Sequence, residues 1–118
     1  MPYIDGYIIA VPSTNKDEYI KLAQESAIVF KDHGALSVME NWADDVPDGT
    51  LTSLPMAVKC EPGEEVVFSW IVWPSREVRD LGNKAAMEDP RFQDWDPSSM
   101  PFDGKRMIYG GFSNIVEL

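Results

Sequence analysis

The stretch Glu65-Val66-Val67-Phe68-Ser69-Trp70-Ile71-Val72-Trp73 constrains the fold more than any other part of this chain. β-Branched and aromatic residues dominate it and Pro74 closes it, so it reads as a strand. Alternate residues of a strand face opposite sides of the sheet. One side carries Val66, Phe68, Trp70 and Val72, the other Val67, Ser69, Ile71 and Trp73. The first strand, Tyr3 to Val11, repeats the pattern, with Ile4, Ile8 and Ala10 on one side and Tyr3, Tyr7, Ile9 and Val11 on the other. An antiparallel sheet covered by helices on a single face normally alternates apolar with polar. Here both faces are apolar, and 118 residues suffice for one compact domain, 1–118, and little more. The second face therefore predicts a partner, and a second copy packed sheet to sheet about a two-fold axis is the economical one.

The remaining elements fit around these strands. Pro12 ends the first, and Asn15 with Glu18 suits a capping box for a helix running to about His33. Tyr19, Ala23, Ala27 and Phe30 line its apolar stripe, broadened by Ile20 and Leu22. Gly34 is placed to terminate it. A strand over Ala35–Ala43, turn chemistry at 44–49 and a short helix capped by Ser53 precede the central strand. Ser75 then caps a second long helix with Val78, Leu81, Ala85 and Ala86 inward, broken at Asp89-Pro90. Residues 91–100 read as irregular or as a short helix, and a last strand spans Arg106–Val116. The order β-α-β-β-α-β predicts an α+β, ferredoxin-like fold: an antiparallel sheet with two helices on one face.

Charge and special residues narrow the function. A formal net charge of −10, with ten scattered basic residues, argues against nucleic acid and anionic membrane as partners. One cysteine permits no internal disulfide, and the N-terminus lacks the features of a signal peptide, so a cytoplasmic protein is expected. With a single histidine, multi-histidine metal centres cannot form in one chain. No metal or cofactor is expected.

The C-terminal run Met100-Pro101-Phe102-Asp103-Gly104-Lys105-Arg106-Met107-Ile108-Tyr109-Gly110-Gly111-Phe112 places paired glycines inside a strand. Glycine weakens a strand interior, so the pair marks a close approach by a backbone, a bulky side chain or a ligand. Together with Tyr3-Ile4-Asp5-Gly6-Tyr7, Gly34-Ala35-Leu36, Asp44-Asp45-Val46-Pro47-Asp48-Gly49, Pro74-Ser75-Arg76-Glu77-Val78-Arg79-Asp80 and Asp89-Pro90-Arg91, this run resembles the DUF1428 family of bacterial proteins of unknown function. The resemblance covers nearly the whole chain and implies a dimeric α+β barrel. It implies no reaction, and the wider barrel group spans monooxygenases, isomerases, haem-handling enzymes and ligand binders.

Candidate site residues follow from chemistry. Aromatic strand residues Tyr7, Trp42, Trp70, Trp73 and Tyr109 suit either core or the wall of a small-molecule pocket. Asp5, Glu40 and Asn41 lie in strands, where a buried polar side chain needs Arg106, Lys105 or a ligand as partner. Asp103, Lys105 and Arg106 shape a turn that can hold an anion, or pair with an acidic residue across a dimer. Asp44, Asp45 and Asp48 read as a solvated turn rather than a divalent-cation loop. His33 reads as a helix-end imidazole bonding the last carbonyls, and Cys60, beside acidic residues, as an unreactive thiol. The pocket set is thus Tyr7, Asn41, Trp42, Asp44, Trp70, Arg106 and Tyr109. Three functions compete: a homodimeric small-molecule binder, a cofactor-independent enzyme of monooxygenase or isomerase type, and an acidic docking module. The enzyme requires Asn41, Trp42 and Arg106 to converge.

Overall fold

A computed structural model describes residues 1–118. Four strands, β1 (Tyr3–Pro12), β2 (Ser37–Trp42), β3 (Glu64–Trp73) and β4 (Ile108–Ser113), form one sheet in the order β2-β3-β1-β4. Every neighbouring pair is antiparallel. Helix α1 (Lys16–Asp32) links β1 to β2, and α3 (Arg76–Glu88) links β3 to β4. Short helices α2 (Leu54–Ala57) and α4 (Pro90–Gln93) sit in the connections. The expected α+β, ferredoxin-like arrangement is the one observed.

Cross-strand register assigns each strand residue to a face. Opposite Tyr3, Asp5, Tyr7 and Ile9 of β1 stand Trp73, Ile71, Ser69 and Val67 of β3. These residues, with Val38, Glu40 and Trp42 of β2 opposite Ile71, Ser69 and Val67, face the helices. Ile4, Gly6 and Ile8, paired with Val72, Trp70 and Phe68, face away. Only 16 of 118 residues are buried, and most of the strand residues among them point toward the helices. On the other face Phe68 is 47% exposed, Phe112 61% and Met39 47%. The face the sequence predicts to be apolar and in need of cover is thus an open surface of the subunit, except at Ala10 and Val66, which Val58 closes over.

The core rests on two tight fits. Ile9, Val11, Tyr19 and Val67 form its centre beneath α1, with Phe102 and Met107 of the C-terminal connection packed at the margin. Trp73 is completely buried, with Phe30 edge-on at 6.3 Å. Over Trp73 lies Gly82, where a Cβ would collide with the ring and stand 2.6 Å from the His33 carbonyl oxygen. Glycine, unfavourable inside a helix, is what lets α3 lie against that indole.

Local chemistry bears out several helix ends and corrects others. Ser53 and Ser75 accept from the backbone N–H groups of Met56 and Val78, as capping residues do. Gly34 takes a φ of 110°, the left-handed conformation of a helix terminator. Asn15 does not cap α1: residues 13–15 form a 3₁₀ turn, and its amide donates instead to the Pro101 carbonyl at 3.0 Å. Leu81 is not inward but 72% exposed, because Gly82 and Ala86 form the buried stripe, with Val78 half-buried beside them. The last strand is shorter than expected, since Gly104–Arg106 closes a 3₁₀ turn before it.

Candidate functional site

The helix-covered face retains one cleft, about 330 Å³, between α1 and the edge strand β2. Its apolar walls come from Ile20, Ala23 and Ala27 of α1 and from Val38 and Val67 of the sheet. Small residues on the α1 stripe hold the helix backbone near the sheet without filling the space. Glu40 and Trp42 enter from β2 because residues two apart share a face. Tyr19, 5% exposed, donates its hydroxyl to Glu40 Oε1 at 2.5 Å. Ser69 on β3 stands directly opposite Glu40.

Electrostatics single out this pair. Glu40 is exposed at the cleft mouth, with the Tyr19 hydroxyl on one side of its carboxyl. Desolvation raises its pKa, against the lowering effect of the Tyr19 and Ser69 hydroxyls. Burial, reinforced by the Glu40 charge, pushes the Tyr19 phenol far above its ordinary value. Lys16 lies over the Trp42 ring, 5.1 Å from its centroid. No arginine, lysine or histidine forms an ion pair with Glu40.

Asp5 anchors a separate network deeper on the same face. It is 3% exposed, and it accepts from the Trp73 indole at 2.9 Å and from Arg79 Nη2 at 2.9 Å. Asn83 approaches Oδ2 at 3.4 Å. The expected partners Arg106 and Lys105 are therefore replaced by Arg79, which reaches Asp5 from α3. Gly111 explains the route: a Cβ there would run into the Tyr3 phenol and lie 2.7 Å from Arg79 Nη2. Tyr7, between the two acidic groups, has its pKa pushed up to about 12, chiefly by burial and then by Asp5.

On the open face a broad hollow of about 680 Å³ has Gly6 and Gly110 as direct cross-strand partners in its floor. Trp70, Phe68 and Phe112 flank it, and no carboxylate, amine or guanidinium lines it. It is a mainly apolar surface without charged groups, its polar members being Tyr7, Tyr109, Ser113 and Asn114, and its breadth suits a protein contact.

The sequence-derived candidates therefore divide. Trp42 belongs to the cleft, while Tyr7 stacks on Tyr109 at 6.2 Å, nearer the Asp5 network. Trp70 faces the open side, where Tyr7 and Tyr109 join it in lining the hollow. Asn41 borders the cleft mouth, but its amide turns to the Phe68 carbonyl at 2.9 Å. Arg106 is engaged within its own chain by Glu64 at 2.6 and 2.8 Å and by Asp103 at 3.1 Å, rather than across a dimer. Asp44 is exposed in the loop after β2, and no group of three acidic, histidine or cysteine side chains is arranged to hold a metal ion. His33 bonds Asp89 at 2.9 Å instead of helix carbonyls. The Cys60 thiol is raised by burial first and by Glu64 second. Tyr19 was legible only as core; its hydroxyl, which needs a partner once buried, was the available signal.

Comparison with known proteins agrees with this architecture. The chain matches the model of a family described as protein of unknown function (DUF1428) over residues 2–104. It is 56% identical over 117 residues to the uncharacterized protein YbaA of Escherichia coli K12, covering 99% of both chains. Among solved structures it is similar to a dimeric ferredoxin-like protein from an uncultured marine organism, with TM-score 0.62, 14% identity and full coverage of both chains. Rv0793 from Mycobacterium tuberculosis superposes with TM-score 0.55 at 12% identity, over 99% of this chain and 98% of that one. At such identities the likeness is one of fold. No helix is long and apolar enough to cross a membrane.

Proposed function

The chain belongs to the DUF1428 family, and from that premise we propose a homodimeric small-molecule-binding protein, each copy one domain over 1–118. The observation that carries the binding role is the cleft between α1 and β2. It combines apolar walls, an aromatic side and one carboxyl at its mouth, the usual constitution of a small-ligand site. Pairing rests on the open sheet face, whose Ile4, Ile8, Phe68, Trp70 and Phe112 form a contiguous apolar surface of the kind that a partner covers. Packing two such faces would leave the cleft, on the opposite side of each sheet, accessible in both copies. A cofactor-independent enzyme built on Asn41, Trp42, Asp44 and Arg106 lacks comparable support, because those four groups do not converge.

Native mass spectrometry of gently purified protein tests the reading. A dimer carrying a reproducible small component supports it. A monomer at micromolar concentration overturns the pairing, and a dimer that binds nothing across a broad metabolite set overturns the binding role.

A further inference from the structure

Building on that reading of the cleft, we propose that it is selective for small primary amines with apolar tails, the ammonium pairing with Glu40 and the tail lying along Trp42 and the α1 wall.

Charge accounting comes first. Glu40 is exposed at the cleft mouth, so its carboxylate is within reach of an incoming cation. Asp5 has Arg79, Glu64 has Arg106 and Asp89 has Arg91, but Glu40 has no cation of its own. The Tyr19 hydroxyl satisfies part of its acceptor capacity. An ionised carboxylate offers about four acceptor positions, so room remains for an ammonium with its three donors.

A second observation concerns the aromatic wall. Lys16, itself an alkylammonium, lies over Trp42 at the cleft and makes no ion pair with any carboxylate. The chain thus displays on its own side chain the chemistry that this wall accepts. An incoming amine can displace Lys16 from the ring and gain the Glu40 contact that Lys16 lacks. Ile20, Ala23, Ala27 and Val38 provide the apolar surface for a tail. The surrounding field, from a chain of net charge −10, draws cations and repels anions. A ligand carboxylate would meet both that field and Glu40.

The test titrates hexylamine, hexan-1-ol and hexanoate separately into the intact protein at neutral pH, following Trp42 by fluorescence and by its indole NMR resonance. Hexylamine is expected to saturate with one site per chain, on the order of tenfold tighter than hexanol, with hexanoate weakest. Glu40→Gln should erase the preference for the amine while hexanol binding persists. Ala27→Leu, which fills the cleft and leaves Glu40 in place, should weaken both ligands and guards against misreading a poorly folded Glu40→Gln protein. Equal binding of hexylamine and hexanol overturns the amine selectivity and leaves the cleft as a ligand site. An amine preference that survives Glu40→Gln also overturns it. Absence of binding by all three probes overturns the selectivity and the cleft together.

Discussion

Gly82 of α3 rests directly on the buried indole of Trp73, with no room between them for a single methyl group. The usual gain of about 1 kcal/mol from replacing a helical glycine by alanine is outweighed here. Gly82→Ala is expected to destabilise the fold by about 1–3 kcal/mol through overpacking. Urea denaturation monitored by Trp fluorescence checks the sign: a stabilised variant would mean that α3 can lift from the sheet at little cost.

Asp5, paired with Arg79, is the most deeply buried carboxylate in any ion pair of the chain. Arg79→Met leaves that carboxylate facing only the Trp73 indole and Asn83, and should cost about 3–5 kcal/mol. Adding Asp5→Asn to the same chain should recover part of the loss, because the stranded charge disappears. Strictly additive effects in the double variant would show that the two side chains are not coupled.

Phe68 lies at the middle of the open sheet face and is 47% exposed in the subunit. Phe68→Asp is expected to convert the proposed dimer to a folded monomer, since two carboxylates would otherwise be brought together in an apolar contact. Light scattering coupled to size exclusion measures the mass, and far-UV circular dichroism shows retention of the fold. A variant that remains dimeric would place the interface elsewhere.

Glu40 holds its proton more tightly in the folded chain than in the unfolded one. Proton binding therefore favours folding, and that advantage is lost as pH rises from the unfolded pKa of about 4.3 through the folded value. Glu40→Gln removes the penalty that the charged form carries. Its Tm should exceed that of the parent at neutral pH by a small margin, because water at the cleft mouth screens much of the penalty. The difference should shrink to nothing as the pH is taken below about 4. A Tm difference that does not vary with pH would show that the effect belongs to packing. Stability gained by removing a side chain is what a residue retained for binding produces.

The alternation in the first and third strands was enough to identify two apolar faces and the need for cover, because strand periodicity is local and exact registration follows from it. The same local logic found Ser53, Ser75 and Gly34. It failed where the partner came from a distant element. Asp5 was expected to meet a basic residue of the C-terminal turn, yet Arg79 arrives from a helix that sequence spacing alone does not orient. Arg79 and Asn83, one turn apart beside the Gly82 stripe, were the available clue. Glu40 was visible as a polar strand residue, but its distinction depends on Tyr19, which lies 21 positions away and meets it only when α1 docks on the sheet. Arg106 looked free because Glu64 is separated from it by 42 positions.

Strand β2 alternates between two tasks within six residues. Met39 and Asn41 stand on the open face, and Val38, Glu40 and Trp42 on the cleft face. A homologue that gained or lost one residue inside 37–42 would exchange the two sets, putting the carboxylate on the apolar surface and the methionine into the cleft. The loop that follows, residues 43–53, contains no helix or strand and is free of that parity. Length variation among relatives should accumulate there and be absent from the strand, so that insertions and deletions record how closely surface and cleft are bound to one another.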